Sequence, residues 1–339
     1  MSFEFFAESS NTSKSNEYLK IKFMIENEVR VINKTVKKEY KDLVVSKDNR
    51  TKSSYSKGVI SNAISQMKEL GLFTPSLPDF VILPRHITYI IFKFKLNRPY
   101  ISRDDDGFYI IENPVRKEKV FKIPMISPSS WKGILRWVMM KEFLEPFNNA
   151  PNIFSKNRFR STMLFGNERG YDQGTNWTEY LNELCPEAIP LYHQQLRQYL
   201  NLNDQDSIPS IKGHLNFYPT FFDAIGLEEI NPHKRKTGAG TQPIYIESVP
   251  VDSKGYFSLL YTPSFKDSIE EYKEVLSQVS HSISKMFLYY GFSAKRTSGY
   301  GEACNQVEES KLYIMGNLPI SFSCLDKLQE NIENVFRKE

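Results

Sequence analysis

The sequence predicts an α+β fold, and three observations carry that prediction. Residues 87–96, ITYIIFKFKL, alternate: Ile90, Phe92, Phe94 and Leu96 fall on one side and Lys93 and Lys95 on the other. That two-residue period marks a half-buried strand. Ser127 and Pro128 open a helix, Ser127 as N-cap and Pro128 in the first helical position, and Trp131, Ile134, Leu135, Val138 and Met139 then recur at helical spacing. A second helix carries Ile269, Tyr272, Val275, Leu276, Val279, Ile283, Met286, Phe287 and Tyr290 on its apolar stripe, and Gly291 ends it. Its start is expected at Asp267, with Glu270 completing a capping box.

The other elements follow from the same patterns. Residues 1–85 form an N-terminal extension, partly helical and basic, whose first sixteen residues are polar and expected to fray. From Glu28 to Gly58 there are nine Lys or Arg against four acids. This stretch suits either a solvated helical face or an arm along a phosphate backbone. RDDDG from Arg103 marks a loop, and 148–209 read as a polar insertion with a short helix near 188–200. Strands are expected at 211–222, at 255–262 and after Gly301, with a long hairpin rich in Pro, Gly and basic residues at 227–254 and a helical tail at 317–339. The core over 86–316 therefore runs strand, helix, strand, strand, helix, strand, which is the ferredoxin-like (RRM-like) order. That order alone assigns no function.

The chain has 339 residues and a net charge of +4, so a nucleic-acid surface would have to be local. Three cysteines, Cys185, Cys304 and Cys324, are far apart and odd in number, with no disulfide framework or zinc spacing. A reducing cytoplasm is the expected location. The opening MSFEFFAESS lacks the pattern of a signal peptide, and no run is apolar and long enough for a bilayer, so no membrane partner is expected.

Two segments carry the chemistry. Gly291–Gly301, GFSAKRTSGYG, holds three glycines, two cations and no acid. Its glycines allow backbone N–H groups near an anion. Lys295 and Arg296 supply charge, Thr297 and Ser298 supply donors, and Tyr300 suits stacking on a base. The bland alternative is a flexible helix-to-strand turn. The second segment, Ile123–Arg136, places Ser129 and Ser130 at a helix N-terminus with its free N–H donors, and Lys132 and Arg136 on one face just inside. Taken alone it also suits a well-capped core helix. Asp104, Asp105 and Asp106 suit either Mg²⁺ or a solvated loop tip. His233 beside Lys234, Arg235 and Lys236 suits a phosphate-contacting loop or, less simply, a general base. His86, His193, His214 and His281 show no metal spacing.

Together, IPMISPSSWKGILR, GFSAKRTSGYG and Leu164-Phe165-Gly166 resemble the RAMP (repeat-associated mysterious protein) superfamily of CRISPR-associated proteins over roughly residues 86–310. Pro128 stands where that pattern usually has glycine, and Trp131 replaces a smaller apolar residue. The resemblance implies a ferredoxin-like core and a subunit of a type III (Cmr/Csm) effector complex that binds CRISPR RNA, possible target RNA and other RAMP subunits. It marks Ser129, Ser130, Lys132, Arg136, His233, Lys234, Arg235, Lys236, Lys295, Arg296, Thr297, Ser298 and Tyr300 as RNA-binding. GHLNFYPTFFDA and INPHKRKTGAGTQPIYIESV are similar to the subunit at the tail of the Cmr complex. IENPVRKEKVFKIP is similar to the backbone subunits, whose aspartate in "DNPV" is linked to target cleavage; Glu112 stands there instead. The expectation is therefore a binding subunit without a cofactor. The alternatives are a Mg²⁺-dependent endoribonuclease on target RNA using Glu112 and Asp106, a processor of the CRISPR RNA precursor, or an unrelated metabolic protein of the same fold order.

Overall fold

The structure is a computed structural model that describes residues 41–42, 44–45, 52–74, 87–104, 113–167, 177–230, 243–314 and 318–337. Its centre is a four-stranded antiparallel sheet in the order β3-β7-β1-β8, formed by β1 (Thr88–Lys95), β3 (Leu215–Phe217), β7 (Lys254–Tyr261) and β8 (Glu308–Ile314). β1 is a central strand, so its backbone groups are paired on both edges, as burial demands. Helices α2 (Pro128–Phe143) and α6 (Ile269–Lys285) cover one face of this sheet. Between the layers, Trp131 meets Phe257 at 5.1 Å and Phe287 at 5.4 Å, and Phe94 meets Phe287 at 5.0 Å. The indole N–H of Trp131 donates to Thr220 Oγ1 at 3.0 Å, which is how a fully buried tryptophan takes the place of a smaller residue.

The expected alternation on β1 holds for its far end only. Ile90, Phe92, Phe94 and Leu96 are buried, and Lys93 and Lys95 lie half-exposed. Tyr89 and Ile91 are buried too, and the Tyr89 ring packs 6.2 Å from Tyr218 and 6.3 Å from Tyr313. The first half of the strand is thus covered on both faces. The strand expected over 211–222 is broken: after β3, a short β4 (Thr220–Phe221) leaves the sheet to pair with β2 (Met125–Ile126).

The insertion departs most from expectation. It holds three helices, α3 (Pro151–Phe165), α4 (Trp177–Leu184) and α5 (Ala188–Leu200). Polarity hid α3 because its polar side chains point inward to partners. Arg160 is buried and forks onto α6, reaching Glu271 at 2.5 and 2.7 Å and Glu274 at 2.5 and 2.6 Å. Arg158 donates to Asn182 Oδ1 at 2.8 Å and stacks 4.4 Å over Tyr192. Sequence hydropathy places arginine outside; paired arginines are the exception.

The start of α6 is also corrected by one residue. Ser268 is the N-cap and accepts from Glu271 N, while Asp267 accepts from Ser264 N at 2.9 Å and so caps a turn of its own. The hairpin forms as β5 (Gly226–Ile230) paired with β6 (Ile244–Ser248), and α7 (Leu328–Arg337) is the tail helix. Of the basic N-terminal stretch, Lys52 bonds Asp223 at 2.7 Å and Lys41 lies 4.4 Å over Tyr245; a helix α1 (Ser61–Glu69) follows. Among the described residues no helix is long and apolar enough to cross a membrane.

Candidate nucleic-acid interface

The two segments singled out in the sequence meet. Between the first turn of α2 and the loop 291–301 lies an open cleft of about 610 Å³. Arg103, Arg116, Lys295 and Arg296 line it, with Ser102, Ser129, Ser130 and Ser293, and no Asp or Glu is among its described lining residues. Charge of one sign is concentrated where the net charge of the chain gave little hint.

Local geometry explains how each side is held. On α2, Ser127 Oγ accepts from Ser130 N at 3.2 Å, and the hydroxyls of Ser129 and Ser130 lie 2.8 and 2.9 Å from it. The positive end of the helix dipole therefore borders the cleft, dressed with hydroxyls. On the other side, Phe292 is buried 5.0 Å from Trp131, so the loop is anchored in the same core as the helix. Ser293 Oγ accepts from Ile101 N and donates to Ile101 O, both at 2.8 Å, and Ala294 N donates to Ile101 O at 3.0 Å. These bonds bring Arg103 to the loop.

Two of the glycines are required by close packing. Gly301 has φ +75°, and a Cβ there would lie 2.3 Å from Ser293 Cβ; at Gly291, φ is +70° and a Cβ would lie 2.8 Å from Tyr300 O. Gly301 N donates to Pro99 O at 2.8 Å and Gly299 N to Arg296 O at 2.8 Å. Those two amides are engaged inside the protein, so Gly299 and Gly301 do not offer their own N–H groups to an anion. The loop instead presents cations. Lys295 is exposed in the left-handed region at φ 54°. Arg296 is half-buried, with its guanidinium carbon 4.0 Å over the Trp137 ring and Nη1 buried without a hydrogen-bond partner. Burial holds its pKa below the usual arginine range.

The remaining expected residues divide. Thr297 and Ser298 are exposed in a short 3₁₀ turn beside the cleft. Lys132 and Arg136 lie outside its lining; burial, then Arg136, lowers the Lys132 pKa. Tyr300 is hydrogen-bonded to Glu228 on β5, and burial raises the pKa of both groups. This ties loop to hairpin. Asp104 accepts from Lys117 N at 3.1 Å. Asp106, Glu112, His233, Lys234, Arg235 and Lys236 lie outside the described residues, as does Asp105. Among the described residues no group of three or more His, Cys, Asp or Glu is placed to hold a metal ion.

Arg103, Arg116, Trp137 and Trp177 were not expected in the site. Arg103 stands before three aspartates in RDDDG, so its charge is outweighed in a local count, and Arg116 lies in VRKEK, far along the chain from the loop it faces. Trp137 is spaced like a core residue of α2, and nothing local ties Trp177 to residues so far along the chain.

A search of curated protein sequences gave no significant match. Among solved structures, the chain is similar to one in "Cryo-EM structure of the Type III-B Cmr-beta bound to cognate target RNA", with 14% identity, 92% of this chain and 87% of that chain covered, and a TM-score of 0.42. It is also similar to one in "Crystal structure of Csm3-Csm4 subcomplex in the type III-A CRISPR-Cas interference complex", with 13% identity, 75% of this chain and 98% of that chain covered, and a TM-score of 0.36. The family model of the RAMP superfamily matches residues 93–304, a span that begins within β1 and ends just past the cationic loop. With well over half its length matched, and both sides of the cleft inside the match, the chain belongs to the RAMP superfamily.

Proposed function

We propose that this protein is an RNA-binding subunit of a type III CRISPR effector complex, and that the basic cleft holds the phosphate backbone of CRISPR RNA. The observation that carries the reading is the cleft itself: four cations and no acid among its described lining residues, between a helix N-terminus and an anchored loop. Such a surface favours a polyanion and releases counterions on binding it. We read the core as ferredoxin-like, since the sheet order β3-β7-β1-β8, with α2 after β1 and α6 after β7, suits that topology. On this view residues 1–85 are an extension, 86–316 the core and 317–339 a tail, and the β5–β6 hairpin reaches a neighbouring RAMP subunit, with His233, Lys234, Arg235 and Lys236 toward RNA. The proposal assigns neither a cofactor nor a catalytic step to this chain.

The test is affinity purification from the native host. The wild-type protein should carry RNA, seen as a raised A260/A280 ratio. Lys295→Ala with Arg296→Ala should lower that ratio toward that of protein alone. A protein that folds, assembles with no RNA and shows no nucleic-acid absorbance contradicts the reading.

A further inference from the structure

The cleft carries aromatic surface that phosphate binding does not use. Trp137 lines it, with Arg296 stacked at 4.0 Å on the ring and Tyr290 meeting the ring at right angles at 5.2 Å. Trp177, the first residue of α4, reaches the same cleft from the insertion. Two of the three tryptophans in the chain therefore line it. A guanidinium whose task is only to pair with phosphate could stand free in solvent, whereas this one is held flat over a half-buried indole by cation–π attraction. Here burial disfavours its charge and leaves Nη1 without a partner. What the contact provides is a flat plate held in place, and guanidinium and indole planes are the surfaces on which unpaired bases stack.

We propose that Trp137, Arg296 and Trp177 form a stacking slot for one unpaired nucleobase, beside the phosphate track of the same cleft. The inference rests on the RNA reading above and adds the ligand class: a base free of Watson–Crick pairing, with Arg103, Arg116 and Lys295 available to its flanking phosphates. Every base has a π-face, so the slot selects for an unpaired base more than for a sequence.

The experiment titrates the full-length protein with a labelled single-stranded RNA and with an abasic phosphodiester oligomer of equal length. Stacking of one base predicts RNA binding about 5- to 150-fold tighter than the abasic oligomer. In Arg296→Lys, which keeps the charge and loses the plate, and in Trp177→Leu, that ratio should collapse toward unity whatever the absolute affinity. A second readout needs no variant: RNA should quench the wild-type tryptophan fluorescence and the abasic oligomer should not. Equal binding of the two oligomers by wild type, with salt-dependent affinity for both, overturns the slot and leaves the RNA-backbone reading standing. Binding of neither oligomer overturns both. A ratio fully retained in Arg296→Lys and in Trp177→Leu also overturns the slot.

Discussion

Two glycines in the site show how one missing side chain serves different ends. Gly301 sits at φ +75° against Ser293, so Gly301→Ala should destabilise the fold by more than ~1 kcal/mol in chemical denaturation. Gly133 lies on α2 at the cleft, and a Cβ there would meet nothing within 4 Å. A helix-interior glycine normally weakens a helix, so Gly133→Ala should stabilise the free protein by ~0.5–1 kcal/mol. If the open space above it is where RNA backbone approaches, the same variant should weaken RNA binding. At the cations, Lys295→Ala with Arg296→Ala should lower RNA affinity across sequences, and each lost phosphate contact should reduce the log–log salt slope by about 0.7 for single strands. Unchanged affinity and slope in a folded double variant would remove the loop from the site. Lys295, Arg296, Ser129 and Ser130 were legible because they stand in runs without acids. Arg103 and Arg116 were not, because bonds from Ser293 to Ile101, distant in sequence, bring that side of the cleft in. The bond from Tyr300 to Glu228 was not legible for a related reason: it joins the basic loop to a hairpin strand some seventy residues earlier in the chain.

At the scale of elements, the insertion is tied to the core through Arg160, Glu271 and Glu274. The arginine is 2% exposed, whereas the two acids are 29% and 49% exposed. Removing the arginine leaves acids that water still reaches, so Arg160→Ala should cost less than the ~3–5 kcal/mol typical of stranding a fully buried charge. The hydrogen bond from Arg160 holds Glu274 below its ordinary pKa. A depressed folded-state pKa adds stability above the usual carboxylate value of about 4.3 and loses it as pH falls through the folded value. Acid unfolding below about pH 4.3 should therefore be shallower in Arg160→Ala than in wild type, measured by circular dichroism against pH. The hairpin is tested separately. Deleting residues 231–243 should leave a folded monomer that no longer recovers CRISPR RNA and partner subunits in a pull-down from the native host; recovery of the whole complex would show that the hairpin is not an assembly element. The hairpin and both main helices were readable because turn chemistry, caps and apolar periods are local. α3 was not, because its buried face mixes polar side chains with Phe154, Leu164 and Phe165, and the partners of Arg160 lie over a hundred residues away on α6.

For the whole molecule, the order of strands and helices was readable while the closing contacts were not. Local patterns placed β1, α2, β7, α6 and β8. The departure of β4 to pair with β2, and the cover over Tyr89, depend on tertiary contacts that no periodicity reports. The same holds for the cleft: its two walls are separate motifs, and only the shared core of Trp131 and Phe292 makes them one surface. The central claim is that this surface is where RNA lies. Hydrogen–deuterium exchange of the full-length protein with and without single-stranded RNA tests it most directly. Slower exchange in peptides covering 101–104 and 293–298, with 308–314 and 328–337 unchanged, is the predicted result; protection at the β8 edge and the tail helix, with the cleft peptides unaffected, would contradict it.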